Sequence, residues 1–207
     1  MYGETNKPET IPDQARSFDD AVKKNFLPYL KDIAVVLSVI LIVFLFCFRI
    51  AVVDGDSMND TLLNGDYVLL LNRAISGEPK AGDVVVISTS TYGQGKPIIK
   101  RVIATEGQQV NIDFETGTVT VDGKVLEEPY IKDLTKRTWP GVEYPITVDD
   151  GCIFVMGDNR MNSTDSRCPS IGQIDCREVI GKAFFRIFPG DDDGDVKRDF
   201  SSIGAIS

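Results

Sequence analysis

The sequence predicts a mainly β domain carried by one N-terminal membrane helix, and three features predict it. An uncharged run from Ile33 to Phe48 is bracketed by Lys31 and Arg49. Beyond it the chain breaks into short runs rich in Val, Ile, Phe and Tyr with turn residues between them. Outside the apolar run and its N-terminal flank, no long stretch has the spacing of an amphipathic helix. At 207 residues there is room for about one compact domain and an appendage.

Within the apolar run only Ser38 is polar. The run is a little short of the roughly 20 residues that cross hydrocarbon. Ile50 to Val53 extend it and Arg49 can reach the interface with its long side chain, so the span is placed at Ile33 to Val52. A cleaved leader also opens on basic residues. The long polar stretch before the run, and the lack of an A-x-A-like site after it, favour an uncleaved anchor. Arg16, Lys23, Lys24 and Lys31 precede the span, whereas beyond Arg49 the next basic residue is Arg73. Positive charge is retained on the cytoplasmic side. Residues 1–32 are therefore expected in the cytoplasm, and a domain over 53–190 outside.

The apolar runs that together read as β follow in order: "DYVLLLN", "GDVVVIST", "PIIKRVIATEG", "QQVNID", "TVTVDGKVL", "YPITVDDGCIFVMGD" and "REVIGKAFFRIFPG". Asp122-Gly123 inside the fifth is a hairpin signal, because both central positions of the favoured turn need residues that tolerate positive φ. Phe184, Phe185 and Phe188 in the last run are assigned to the core. The stretch 191–207 reads as a solvated acidic tail. Its Asp cluster does not fit an EF-hand, since Pro189 stands at the first ligand position and Phe200 near the last.

Composition excludes several classes. A net charge of -9 with no basic cluster leaves no positive face for phosphates, so no nucleic-acid partner is expected. The absence of histidine removes Ser-His-Asp and Cys-His catalysis and any His-ligated metal. Cys47, Cys152, Cys168 and Cys176 form no CxxC pair. Cys168 and Cys176 are close enough in sequence to close a small loop, or to lie unpaired and buried.

Three segments carry chemistry. Gly55-Asp56-Ser57-Met58 is by itself more often a plain turn than a nucleophile elbow, lacking the second glycine of G-x-S-x-G. Lys100 sits in an apolar strand pattern beside Arg101, so alternation would turn one of them inward. Desolvation could bring an inward lysine down by three to four pKa units, leaving an amine able to take a serine proton. The loop "GDNRMNSTDSR", Gly157 to Arg167, follows a buried strand and holds more charge and amide than a surface turn needs.

Taken together, "GDSMNDTL", "IKRVIATEGQQV" and "GDNRMNSTDSR" resemble type I signal peptidases, membrane-anchored serine proteases of bacteria, in their shorter Gram-positive form. "IGQID" and "REVIGKAFFRIFP" are similar to the family's closing segment, so the likeness covers the anchor and about Val53 to Pro189. It implies a β catalytic domain of the signal-peptidase and self-cleaving-repressor (LexA-like) kind on the outer face of the cell membrane. It also implies preproteins bearing signal peptides as partners, contact with membrane lipid, and no metal or cofactor. Ser57 would be the nucleophile and Lys100 the general base. Ser163 would hydrogen-bond and orient the lysine amine, with Asp165 and Arg167 bracing the loop. Val53, Met58, Leu62 and Ile99 would line shallow pockets for the small side chains before the cleavage site, and the substrate would lie extended between strands.

The chain departs from that pattern in places. Asn59-Asp60 replaces the usual x-Pro after the serine and brings a carboxylate near it; aimed at Lys100, Asp60 would stabilise the ammonium. Gly55 stands where some members carry a serine hydroxyl for the oxyanion. Thr105-Glu106-Gly107-Gln108 replaces L-P-G-D. Asn59-Asp60-Thr61 and Asn162-Ser163-Thr164 are formal glycosylation sequons, which favour a compartment without that modification. Two other readings compete: a non-catalytic membrane-anchored β domain, and a self-cleaving Ser-Lys regulator, the latter disfavoured because no DNA-binding segment precedes the serine.

Overall fold

A computed structural model describes residues 27–88, 96–190 and 198–206. Most of the expected cytoplasmic segment, and the Asp cluster at 191–193, lie outside them. The chain divides into two units, 1–46 and 47–207.

Helix α1, Leu27–Cys47, is long and apolar enough to cross a membrane, with mean hydropathy 2.6 over Pro28–Cys47. It is displaced from the expected span, starting six residues earlier and stopping five before Val52. The reason is strand pairing. Phe48–Val52 forms β1, matched from Phe48 opposite Leu71 to Val52 opposite Tyr67 on β2, Tyr67–Asn72. Backbone groups satisfied across a ladder cannot also serve a helix.

The second unit is β, as the sequence predicts. After β2 come a short helix α2 (Arg73–Ser76), then β3 (Val84–Ile87), β4 (Ile98–Thr105), β5 (Gln109–Asp113), β6 (Thr118–Val121), β7 (Lys124–Val125), β8 (Ile146–Thr147), β9 (Cys152–Met156), β10 (Ile174–Asp175), β11 (Val179–Phe188) and β12 (Gly204–Ala205). One sheet runs β1-β2-β11-β3-β4-β9-β10, with β12 added to β11, and the second runs β7-β6-β5-β8. Asp122 and Gly123 join β6 to β7 with φ of +51° and +76°, the turn their chemistry favours. One core packs the second sheet against β4 and β9 through Ile103, Val110, Val119 and Phe154. Another lies beneath the β1–β2 loop, with Met58, Leu62, Val68 and Val86.

Two expectations need correction, and two points left open in the sequence are decided. "YPITVDDGCIFVMGD" is two strands in different sheets, because Asp149 and Cys152 close a turn at Gly151 (φ +70°). Residues 198–206 are not a solvated tail: Gly204 and Ala205 pair with Arg186 and Phe185. Phe184, Phe185 and Phe188 are half-buried rather than core, since β11 is flanked by irregular pairing and ring contacts at the surface. Cys168 and Cys176 are both free thiols. Cys168 belongs to the polar loop's exit, whereas the Cys176 amide donates to Gly151 O on the other side of β10 at 2.8 Å.

Candidate active site

The β1–β2 connection is a closed loop. Val53 N–H donates to Asp66 O at 2.9 Å and Gly65 N–H to Val53 O at 2.8 Å, which cinches its neck. Leu62 N–H bonds Met58 O at 2.9 Å to form one helical turn inside it. Gly55, at φ +100°, supplies a backbone that other residues rarely adopt. Met58 and Leu62, both fully buried, root the turn in the core. Ser57 is left half-buried at its crest.

Lys100 arrives from the neighbouring strand. It pairs with Val85 of β3, while β9 joins β4 only from Arg101 onward. Lys100 is 4% exposed, and its Nζ lies 2.6 Å from Ser57 Oγ and 2.9 Å from Ile99 O. Burial brings its pKa down from 10.5 to about 8. Asp165 and Asp158 act against that fall and Arg167 with it. Next along the strand, Arg101 is buried too, contrary to simple alternation. Its guanidinium forks onto Asp158, Nε to Oδ1 at 2.9 Å and an NH2 to Oδ2 at 2.7 Å, which is what allows a second cation inside.

The Gly157–Arg167 loop closes the site. Asp158 also accepts from Thr61 Oγ1 at 2.6 Å, tying the serine turn to the lysine strand. Asn159 reaches the turn twice, its N–H to Ser57 O at 3.1 Å and its side-chain amide to Asp56 O at 3.0 Å. Asp165 takes the Arg167 fork, with both contacts at 2.8 Å, and the Gly157 N–H at 2.9 Å. Burial would raise the Asp165 carboxyl; the Arg167 hydrogen bonds and charge overcome this and hold it below the ordinary range. Arg160 runs to Glu128, Thr135 and Gly157 O, all within 3.0 Å. Gly157 must be glycine, since a Cβ there would sit 2.4 Å from Ser57 O and 2.3 Å from Ser163 Oγ. A cleft of about 370 Å³ extends from Ser57 and Lys100 between Val52 and Val53 on one wall and Ile98 and Ile99 on the other. A larger cavity of about 720 Å³, near Arg73, Glu106, Cys152 and Cys176, contains none of these site residues. Among the described residues no three His, Cys, Asp or Glu side chains are grouped to hold a metal ion.

Residues 26–188 match the signal peptidase family, peptidase S26. The chain belongs to that family. Its relatives include signal peptidase I S of Bacillus subtilis (strain 168), 34% identical over 176 residues, 81% of this chain and 91% of that protein. A probable signal peptidase I-1 of Synechocystis sp. is 38% identical over 144 residues, 66% of this chain and 69% of that one. The crystal structure of a signal peptidase I from Enterococcus faecalis V583 is 26% identical, covers 51% of this chain and 96% of its own, and has a TM-score of 0.41. This is a type I signal peptidase, a serine peptidase.

The structure brings Ser57, Lys100, Asp165 and Arg167 of this signal peptidase to one site, with Ser163 buried beside Gly157. Val53 and Ile99 line the cleft, whereas Met58 and Leu62 are not among its lining residues and pack in the core cluster beneath the turn. Ser163 is not the partner of the lysine amine, whose second bond goes to Ile99 O. Its hydroxyl lies near enough to Asp165 to help lower that carboxyl, yet makes no well-formed hydrogen bond. Asp60 does not face Lys100. Its side chain is 72% exposed and looks toward Lys132 at 3.8 Å. Sequence reasoning passed over Thr61, Arg101 and Glu128 as site residues. Arg101 could have been suspected from a second cation in an apolar strand; Glu128 stands in an irregular stretch with nothing to single it out.

Proposed function

We propose that this signal peptidase removes N-terminal signal peptides from exported preproteins, cutting after small residues of the Ala-x-Ala kind, with Ser57 as nucleophile and Lys100 as general base. The observation that carries it is the 2.6 Å contact between a buried lysine amine and a serine hydroxyl in a chain with no histidine. Neutral Lys100 takes the hydroxyl proton as Ser57 Oγ attacks the carbonyl before the scissile bond. The resulting ammonium returns that proton to the departing amine. Water, deprotonated by the same amine, then releases the acyl group from Ser57. The Ser57 backbone N–H faces the developing oxyanion; Gly55 offers no hydroxyl there.

Support for the substrate's seat comes from the strand edges. Among the described residues no strand pairs with Ile98, Ile99 and Lys100 on the side of β4 away from β3, so an extended peptide can bond that edge. Val53 and Ile99 leave shallow space suited to small side chains. Asp165 and Arg167 stiffen the loop behind the dyad, and Ser163 fills the gap against Gly157. The helix α1 serves as a single-pass anchor in the bacterial cell membrane, its N-terminus cytoplasmic and the β domain on the outer face beside the lipid, where secreted chains emerge.

Cleavage of a preprotein by the purified chain and by Ser57→Ala and Lys100→Ala tests the reading. Both variants should yield no mature product. Product from either at the unaltered enzyme's rate would end the dyad assignment.

A further inference from the structure

We infer that residues 198–206, which lie beyond the segment matched to the family, form a strap that positions the nucleophile turn through Arg186. The inference rests on Ser57 being the nucleophile.

The strap exists because β11 outruns its neighbour. β3 accompanies β11 only from Val179 to Ala183, whereas β2 stays beside it to Phe188. The vacated edge is taken by β12, with Ala205 opposite Phe185 and Gly204 opposite Arg186, and Ile206 N–H donates to Phe184 O at 3.0 Å. Before it, Asp199 caps a 3₁₀ turn, Phe200–Ser202, by accepting from Ser201 N–H at 2.9 Å. The Phe200 ring packs edge-on against Phe188 at 5.6 Å. Ile206 then packs onto the same core cluster as Met58 and Leu62, the residues that root the serine turn.

Arg186 turns this docking into a constraint on Ser57. Its Nε donates to Ser202 O in the strap at 2.8 Å, and one terminal nitrogen donates to Thr61 O at 3.4 Å and to Asp66 at 2.9 Å. Asp66 is fully buried and also accepts from Leu63 N–H and from Gly190 N–H, so the guanidinium is held at the base of the serine loop. The chain passes so close there that a Cβ on Gly190 would lie 2.1 Å from Asn64 O. Thr61 is thus gripped from two directions, its hydroxyl by Asp158 and its carbonyl by Arg186. Ser57 stands four residues before it in the same turned segment. Without Ser202 O, the guanidinium loses the contact that sets its angle, and Thr61 loses one of its two holds. Arg186 is a positioning residue: it touches neither Lys100 nor the cleft.

The test measures kcat, KM and the pH profile of preprotein cleavage for the full-length chain carrying Arg186→Lys or Ile206→Ala, and for a chain ending at Gly190. Lysine keeps the charge facing Asp66 but loses the fork that also reaches Ser202 O. Because displacement by about 1 Å can cost up to about 100-fold in rate, kcat should fall by about tenfold in each variant. KM should stay within about twofold and the acid limb of the profile should not move. The truncated chain can fail simply by unfolding, so the two point variants decide. Unchanged kcat in both, a rise in KM alone, or a shifted acid limb would each overturn the strap. Ser57→Ala in the same assay keeps the two ideas apart, since activity there removes the nucleophile assignment whatever the strap does.

Discussion

The proposed role of Lys100 as general base implies a pH dependence fixed by its surroundings. Lys100 is 4% exposed, and desolvation lowers its pKa from 10.5 to about 8. At one pKa unit per 1.36 kcal/mol, that fall corresponds to roughly 3 kcal/mol against the ammonium form. With a pKa of about 8, about 9% of the amine is neutral at pH 7 and about 90% at pH 9. An unburied lysine would offer about 300-fold less base at pH 7. Because the base must be neutral, kcat/KM should climb tenfold per pH unit below an inflection near 8 and level off above it. Lys100→Arg should be inactive at every pH, as guanidinium does not give up its proton. The same group acts on stability with a defined sign. Its folded pKa lies below its unfolded one, so below about pH 8 both states carry the proton and the buried charge costs its full amount. That cost is relieved as pH rises from about 8 to 10.5, where the unfolded chain holds the extra proton, and stability should increase by roughly 3 kcal/mol relative to a Lys100→Met variant. An inflection near 10.5, or an acid limb that persists in a Lys100 variant, would refute the reasoning.

Three further outcomes follow from the geometry. Gly157→Ala puts a methyl 2.4 Å from Ser57 O, and kcat for preprotein cleavage should fall by about 100-fold. Asp158→Ala strips a fully buried carboxylate from Arg101 and Thr61, and should lower unfolding stability in a denaturant titration by about 3–5 kcal/mol. Asp60→Ala removes an exposed carboxylate with a loose 3.8 Å partner, so stability should stay within about 0.5 kcal/mol and the acid limb should not move. A downward shift of that limb in Asp60→Ala would show instead that the residue acts on Lys100.

Much of the fold was legible because its causes are local. The β-branched runs and the Asp122-Gly123 turn specify strands and a hairpin through their own backbone preferences. The failures share a different cause. Phe48–Val52 continues a hydrophobic run and reads as helix; only its partner β2 makes it a strand. Gly204-Ala205 has no strand signal of its own, and an unoccupied edge on β11 recruits it. At the site, Ser57, Lys100, Asp165 and Arg167 were visible as motif residues. Met58 and Leu62 were assigned to the pockets only through the family likeness, and a matched position does not say which side of a turn faces the core.

By itself the sequence determined the chemistry that is available. With no histidine, a serine base has to be sought elsewhere, and an apolar helix followed by a β domain is written in residue type and order. The tertiary structure decided which groups meet. Burial lowers the pKa of the Lys100 amine and the fold sets it 2.6 Å from Ser57 Oγ across 43 residues of chain, while Asp60 faces Lys132 instead. Desolvation and hydrogen-bond geometry depend on neighbours distant in sequence. Side chains carry their own pKa and shape; their working values are set only when the chain closes around them.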